Sequence, residues 1–151
     1  MNTLKFSIFI NAPKEKVWNT MLEDATYREW TKPFDETSYY QGEWSEGSKI
    51  LFLSTDKSTD AEKNIVRGMS SRIAKNIPFE YISIQHLGMI ENGIEKPWEG
   101  EGDGFENYIF TEKDGGTKLD IELINLPDSF TEMMNTMWPK ALEVLKALAE
   151  K

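Results

Sequence analysis

The end of the chain constrains the rest most. From Phe130 onward, Met134, Met137, Ala141, Leu145 and Leu148 recur at helical spacing, and Met133, Trp138 and Leu142 broaden the stripe. Ser129 and Glu132 are spaced as a capping box, which predicts a helix from there to about residue 150, roughly 30 Å long. Pro139 interrupts the pattern and predicts a kink, or a restart near Trp138. An apolar face of that length has to be covered, so the preceding residues must build the surface that covers it.

Those residues read mostly as strands. Leu4, Phe6, Ile8 and Ile10 alternate with polar neighbours over residues 3–10. Two short helices follow. Asn11 is placed to cap the first, with Pro13 in its opening turn and Val17, Trp18, Met21 and Leu22 on its apolar face. Asp24 restarts the second, which holds Tyr27 and Trp30 and stops at Pro33. Strands are then expected at 38–43, 49–54, 65–74 and 79–90, with residues 55–63 as a polar loop and Asn76, Ile77 and Pro78 as a connection. Gly68 and Gly88 lie inside strand-like runs, where they permit bulges or bends.

Residues 91–104 read as a long acidic loop. Asp114-Gly115 is a favoured two-residue hairpin turn. It pairs Phe110 with Leu119, Tyr108 with Ile121, Ile109 with Asp120 and Asn107 with Glu122, so Tyr108, Phe110, Leu119 and Ile121 share an interior face. The order is strand, two short helices, six strands, long helix. That is an α+β class in which a curved antiparallel sheet wraps the C-terminal helix, as a single domain over 1–151.

With 17 basic and 26 acidic residues the formal net charge is −9, which disfavours nucleic acid and anionic membrane surfaces as partners. The absence of cysteine excludes disulfides, thiolate metal sites and cysteine nucleophiles. No signal peptide, apolar span or Asn-x-Ser/Thr acceptor is present, so a cytoplasmic protein is expected.

Particular residues carry a family resemblance. Ala12-Pro13 followed by Val17-Trp18, then Trp30, then Gly115-Gly116-Thr117 leading into Leu119, then Trp138 with Leu142 and Leu145, resemble the START-like (SRPBCC, helix-grip) superfamily. More narrowly, they resemble the activator of Hsp90 ATPase homologue 1-like family. Pro139 and the acidic loop depart from that pattern. The resemblance covers essentially the whole chain and implies a pocket between sheet and helix. This superfold hosts carriers, cyclases, aromatase-like enzymes and co-chaperone domains, so the fold alone does not choose among them.

The candidate ligand-binding residues are Trp30, Ile84, His86, Tyr108, Phe110, Met134, Met137 and Trp138. His86, the only histidine, shares a strand face with Ile82 and Ile84. Facing the pocket, it would serve as acid, base or polar anchor. Otherwise it is a hydrogen-bonded structural residue or sits at a strand end in solvent. No acidic partner for it is identifiable. The Met-rich helix start lines an adaptable pocket or packs as ordinary core.

An empty pocket of about 300 Å³, at roughly 24 cal/mol per Å³, would cost about 7 kcal/mol against a total stability of about 5–15 kcal/mol. The space is therefore expected to be hydrated, occupied, or partly filled by Trp30, Tyr108, Phe110 and Trp138. The acidic residues Glu91, Glu95, Glu99, Glu101 and Asp103 lack EF-hand spacing, and no nucleotide, P-loop, nucleophile-elbow or zinc-protease motif occurs. No metal, cofactor or catalytic residue is assigned.

Three functions remain open. The first is a module that binds an apolar or amphipathic small molecule, lipid or polyketide-like. The second is an enzyme in the same pocket, cyclase- or hydrolase-like, using His86, Tyr108 or a buried carboxylate. The third is an interaction domain for an Hsp90-type chaperone, which ranks low because fuller activators carry a further domain.

Overall fold

A computed structural model describes residues 3–56, 65–98 and 102–151. The readings made for residues 57–63 and for Glu99, Gly100 and Glu101 lie outside the described residues. Strand β1 (Thr3–Ile10) leads into helices α1 (Lys14–Leu22) and α2 (Asp24–Trp30). Strands β2 (Tyr39–Gly42), β3 (Lys49–Asp56), β4 (Ile65–Ile77), β5 (Tyr81–Glu91), β6 (Ile94–Pro97), β7 (Gly104–Lys113) and β8 (Gly116–Ile124) follow, and helix α3 (Asp128–Ala149) closes the order.

The strands form one antiparallel sheet in the order β1-β8-β7-β5-β4-β3-β2, with β6 joined to β5. Its inner face and α3 bury a single cluster that includes Ile10, Val17, Met21, Ile84, Leu119, Ile121, Trp138, Leu142 and Leu145. This is the helix-grip arrangement. Among the described residues no helix is long and apolar enough to cross a membrane.

The β7–β8 hairpin has the expected register, with Tyr108 opposite Ile121, Phe110 opposite Leu119 and Asn107 opposite Glu122. Asp114 and Gly115 both take positive φ, 48° and 81°, as the tight hairpin turn requires. By the same alternation Glu106 lies on the inner face with Tyr108 and Phe110.

Several boundaries differ from those expected. Pro13, not Asn11, occupies the N-cap of α1, and no side chain caps it. The Asn11 backbone N–H instead donates to Glu150 Oε2 at 2.8 Å, tying the start of α1 to the end of α3. Helix α3 begins at Asp128, one residue before Ser129, with Pro127 at the N-cap and no side-chain bond, so the Ser129–Glu132 box does not form. The helix does not restart at Pro139. Pro139 and Asn135, the residue whose carbonyl loses its helical partner, are both exposed. Met133 is 42% exposed and lies outside the apolar stripe.

β4 extends to Ile77, so the turn falls at Pro78–Glu80 rather than Asn76–Pro78. Residues 91–104 are not all loop. A turn at Asn92-Gly93, both at positive φ, folds β6 back onto β5, which makes seven strands after the helices instead of six.

The glycines near the bend act through close backbone approach. A Cβ on Gly88 would lie 2.3 Å from the Lys96 carbonyl oxygen, so only glycine lets β6 pair there. β5 pairs with β6 over Gly88–Glu91 and with β7 over Tyr81–His86. Leu87 falls between the two pairings. On its other side β5 meets β4 through a bulge between Ser70 and Ser71, which sets Ser71 directly opposite His86.

Candidate functional site

Alternation along β5 and β7 turns Ile82, Ile84 and His86, and Glu106, Tyr108 and Phe110, toward the helix. Ile84 pairs with Glu106 and His86 with Gly104, so His86 and Glu106 are diagonal neighbours on the inner face. The imidazole is fully shielded, and the Glu106 side chain is only 12% exposed. His86 Nδ1 lies 2.8 Å from Ser71 Oγ, a contact created by the β4 bulge. His86 Nε2 lies 3.9 Å from Glu106 Oε1 and has no hydrogen-bond partner among the described residues. The Tyr108 hydroxyl donates a hydrogen bond to Glu106 Oε2.

Trp98 covers this group. Its ring stacks on His86 at 5.1 Å and 24°, and its indole Nε1 is also buried without a partner among the described residues. The close approach depends on Gly104, where a Cβ would lie 2.4 Å from Trp98 Cζ2. Gly104→Ala is therefore expected to push the indole off His86 and let water reach the ring. An imidazole pKa moving up toward 6.5, followed by NMR, would record this, whereas an unchanged value would show that Trp98 does not shield it.

Burial sets the protonation states. Desolvation pushes the Glu106 carboxyl up to about 7, against the opposing hydrogen bond from Tyr108. Desolvation lowers His86 to about 4, so the imidazole is neutral at physiological pH. Tyr27 and Tyr108 are raised well above the usual phenol range, first by burial and then by the Glu106 charge. The result is a buried carboxyl that titrates near neutrality, beside a neutral imidazole and two protonated phenols.

Next to this polar group the interior is filled with aromatic rings. Trp138 from α3 meets Phe6 at 6.3 Å, Trp30 at 5.8 Å, Phe34 at 5.2 Å and Tyr108 at 6.2 Å between ring centroids. Trp30 is fixed by its indole N–H, which donates to the Met21 carbonyl at 3.0 Å. The space expected for a pocket is thus occupied by Trp30, Tyr108 and Trp138. Two surface depressions, of about 600 and 250 Å³, lie instead on the side of β1 and β8 that carries Lys5, Ser7, Lys118 and Asp120.

Of the residues singled out in the sequence, the structure joins Trp30, Tyr108 and Trp138 through ring contacts and joins His86 to Tyr108 through Glu106. Ile84 lies under this group on the neighbouring inner position. Phe110 belongs to the other end, against Trp18 at 5.2 Å. Met134 is buried, while Met137 is only half-buried. Glu106, Ser71, Trp98 and Tyr27 were not singled out from the sequence. Only Glu106 had a readable signal, its two-residue spacing from Tyr108.

The sequence profile of the family described as activator of Hsp90 ATPase homolog 1-like protein matches residues 11–150. No curated protein matches the chain in sequence at a significant level. Among solved structures, the Aha1 dimer from Colwellia psychrerythraea superposes with a TM-score of 0.73 at 21% identity, covering 99% of this chain and 97% of that one. Protein CV1439 from Chromobacterium violaceum gives 0.69 at 20% identity, over 100% and 99% of the two chains. CalU16 from Micromonospora echinospora gives 0.66 at 16% identity, over 97% and 75%. Likeness at these identities extends to the fold.

Proposed function

Because this chain belongs to the activator of Hsp90 ATPase homolog 1-like family, we propose that it works through the inner face of its sheet, as a domain that binds an apolar or amphipathic small molecule of lipid or polyketide-like type. The observation that supports this reading is His86 Nε2, buried with no hydrogen-bond partner among the described residues and facing Glu106 at the edge of an aromatic interior. A buried polar atom left unpaired beside a largely buried carboxyl costs free energy. A ligand that supplies the missing partner offsets that cost and stabilises the fold by mass action. Entry requires Trp98, whose ring covers His86, to move, and the rings of Trp30, Tyr108 and Trp138 that fill the interior to part. A cytoplasmic setting is part of the same proposal, from the lack of cysteine.

The experiment is a two-dimensional NMR titration of labelled protein with fatty acids, sterols, flavonoids and polyketide-like aromatics. Saturable shifts at His86, Trp98, Tyr108 and Trp138 are expected for at least one class. Spectra unchanged across the panel would refute the reading.

One observation favours a second reading, catalysis in the same place. Burial pushes the Glu106 carboxyl up to about 7 while it accepts a hydrogen bond from Tyr108, which suits general acid–base work near neutrality. Mass spectrometry of a compound recovered after binding separates the two. An unaltered compound supports a carrier, and an altered one supports an enzyme.

A further inference from the structure

Given a ligand on the inner face, as proposed above, we propose that its polar end is an uncharged hydroxyl whose oxygen sits between His86 Nε2 and Glu106 Oε1, so that the site selects alcohols or phenols over carboxylates. The span between those two atoms is 3.9 Å, too long for a direct hydrogen bond. One oxygen about 2.8 Å from each would subtend an angle of roughly 90° between them, within hydrogen-bond geometry.

The donor and acceptor pattern narrows the choice. The carboxylate opposite Nε2 favours the tautomer with its proton there, and Ser71 then donates to Nδ1. Nε2–H and the neighbouring Trp98 Nε1–H are donors that need an acceptor. Glu106 Oε1 can accept a further donor, because the Tyr108 hydroxyl goes to Oε2. A hydroxyl group is both donor and acceptor at a single atom. A carboxylate accepts but cannot donate, and it brings a second negative charge beside Glu106. An ammonium donates but leaves the His86 N–H unpaired. No Lys or Arg is among the buried polar side chains of the described residues, so nothing there neutralises an incoming anion.

The probes are 2-naphthol, 2-methoxynaphthalene and 2-naphthoate, which share one ring system and differ at the polar end. Each is titrated into the full chain at pH 8, with the His86 imidazole and Trp98 indole resonances as the readout. 2-Naphthol is expected to bind on the order of tenfold more tightly than either other probe, the usual penalty for a buried polar group left unpaired. With Glu106→Gln, 2-naphthoate is expected to gain on the order of tenfold, because the opposing charge is gone.

Binding by 2-methoxynaphthalene or 2-naphthoate as tight as that of 2-naphthol, or tighter, overturns the hydroxyl assignment and leaves the binding reading standing. If 2-naphthol moves neither resonance while a compound without a hydroxyl group does, again only the hydroxyl assignment falls. If no compound of any class moves them, the binding reading falls with it.

Discussion

Trp138→Ala is expected to cost about 3–5 kcal/mol of stability, the range for deleting a large buried ring. Trp138 is 2% exposed and meets four other rings, from β1, from the segment after α2, from α2 itself and from β7. Its removal therefore opens a hole at the point where helix, sheet and N-terminal helices converge. Those neighbours are held elsewhere, Trp30 by Met21 and Tyr108 by Glu106, so collapse into the space is restricted. Since total stability is about 5–15 kcal/mol, a loss of this size should move the urea midpoint strongly. A loss below about 1 kcal/mol would mean that the ring does not fill the interior. The cavity also makes a second test available, because a small aromatic compound should recover part of the lost stability by filling it.

Glu106→Gln is expected to stabilise the fold at alkaline pH and to do nothing at acid pH. The Glu106 carboxyl keeps its proton up to about pH 7 when folded, against an unfolded value of 4.5. Between those limits the folded state binds more protons than the unfolded state, so the Glu106 contribution to stability falls as pH rises through this window. The shift corresponds to about 3 kcal/mol, fully expressed above pH 7. A glutamine amide in its place has no charge to bury, and its oxygen can still accept from Tyr108. The variant should thus exceed the wild type by about 3 kcal/mol at pH 8, with the difference fading to near zero by pH 4.5. Taking the difference cancels the other carboxylates and His86. His86 acts in the opposite sense in both proteins. Its pKa is lowered from 6.5 to about 4, so its contribution is lost as pH falls through that range. A difference that does not change with pH would mean that Glu106 is solvated.

The hairpin and the site were not equally legible in the sequence. Asp114-Gly115 fixed a register that ran correctly to Asn107 and Glu122, because a two-residue turn leaves the strands no freedom to slip. Val17, Trp18, Met21 and Leu22 were readable for a similar reason, since one helical face holds them all and all are buried. The caps were not. Both Asn11 and Ser129 have the right chemistry, but a proline takes the cap position of each helix and the Asn11 backbone is engaged by Glu150, 139 residues away.

β6 was hidden because Ile94–Pro97 is exposed along its whole length and shows no alternation. Glu106 could have been placed on the inner face by counting back two residues from Tyr108. A glutamate in a strand normally reads as solvent-facing, which masks that signal. Ser71 and Trp98 gave no signal. Ser71 reaches His86 only through a bulge, and Trp98 reaches it only because β5 exchanges one partner strand for another at Leu87.

The site stands or falls on His86 being a buried, neutral group whose Nε2 has no partner among the described residues and faces Glu106 on the inner face of the sheet. Titration of that single imidazole, followed by NMR on protein labelled at histidine, tests this most directly. The expected midpoint is about 4, with the ring neutral throughout the neutral range. A midpoint near 6.5 would place the imidazole in water and remove the site.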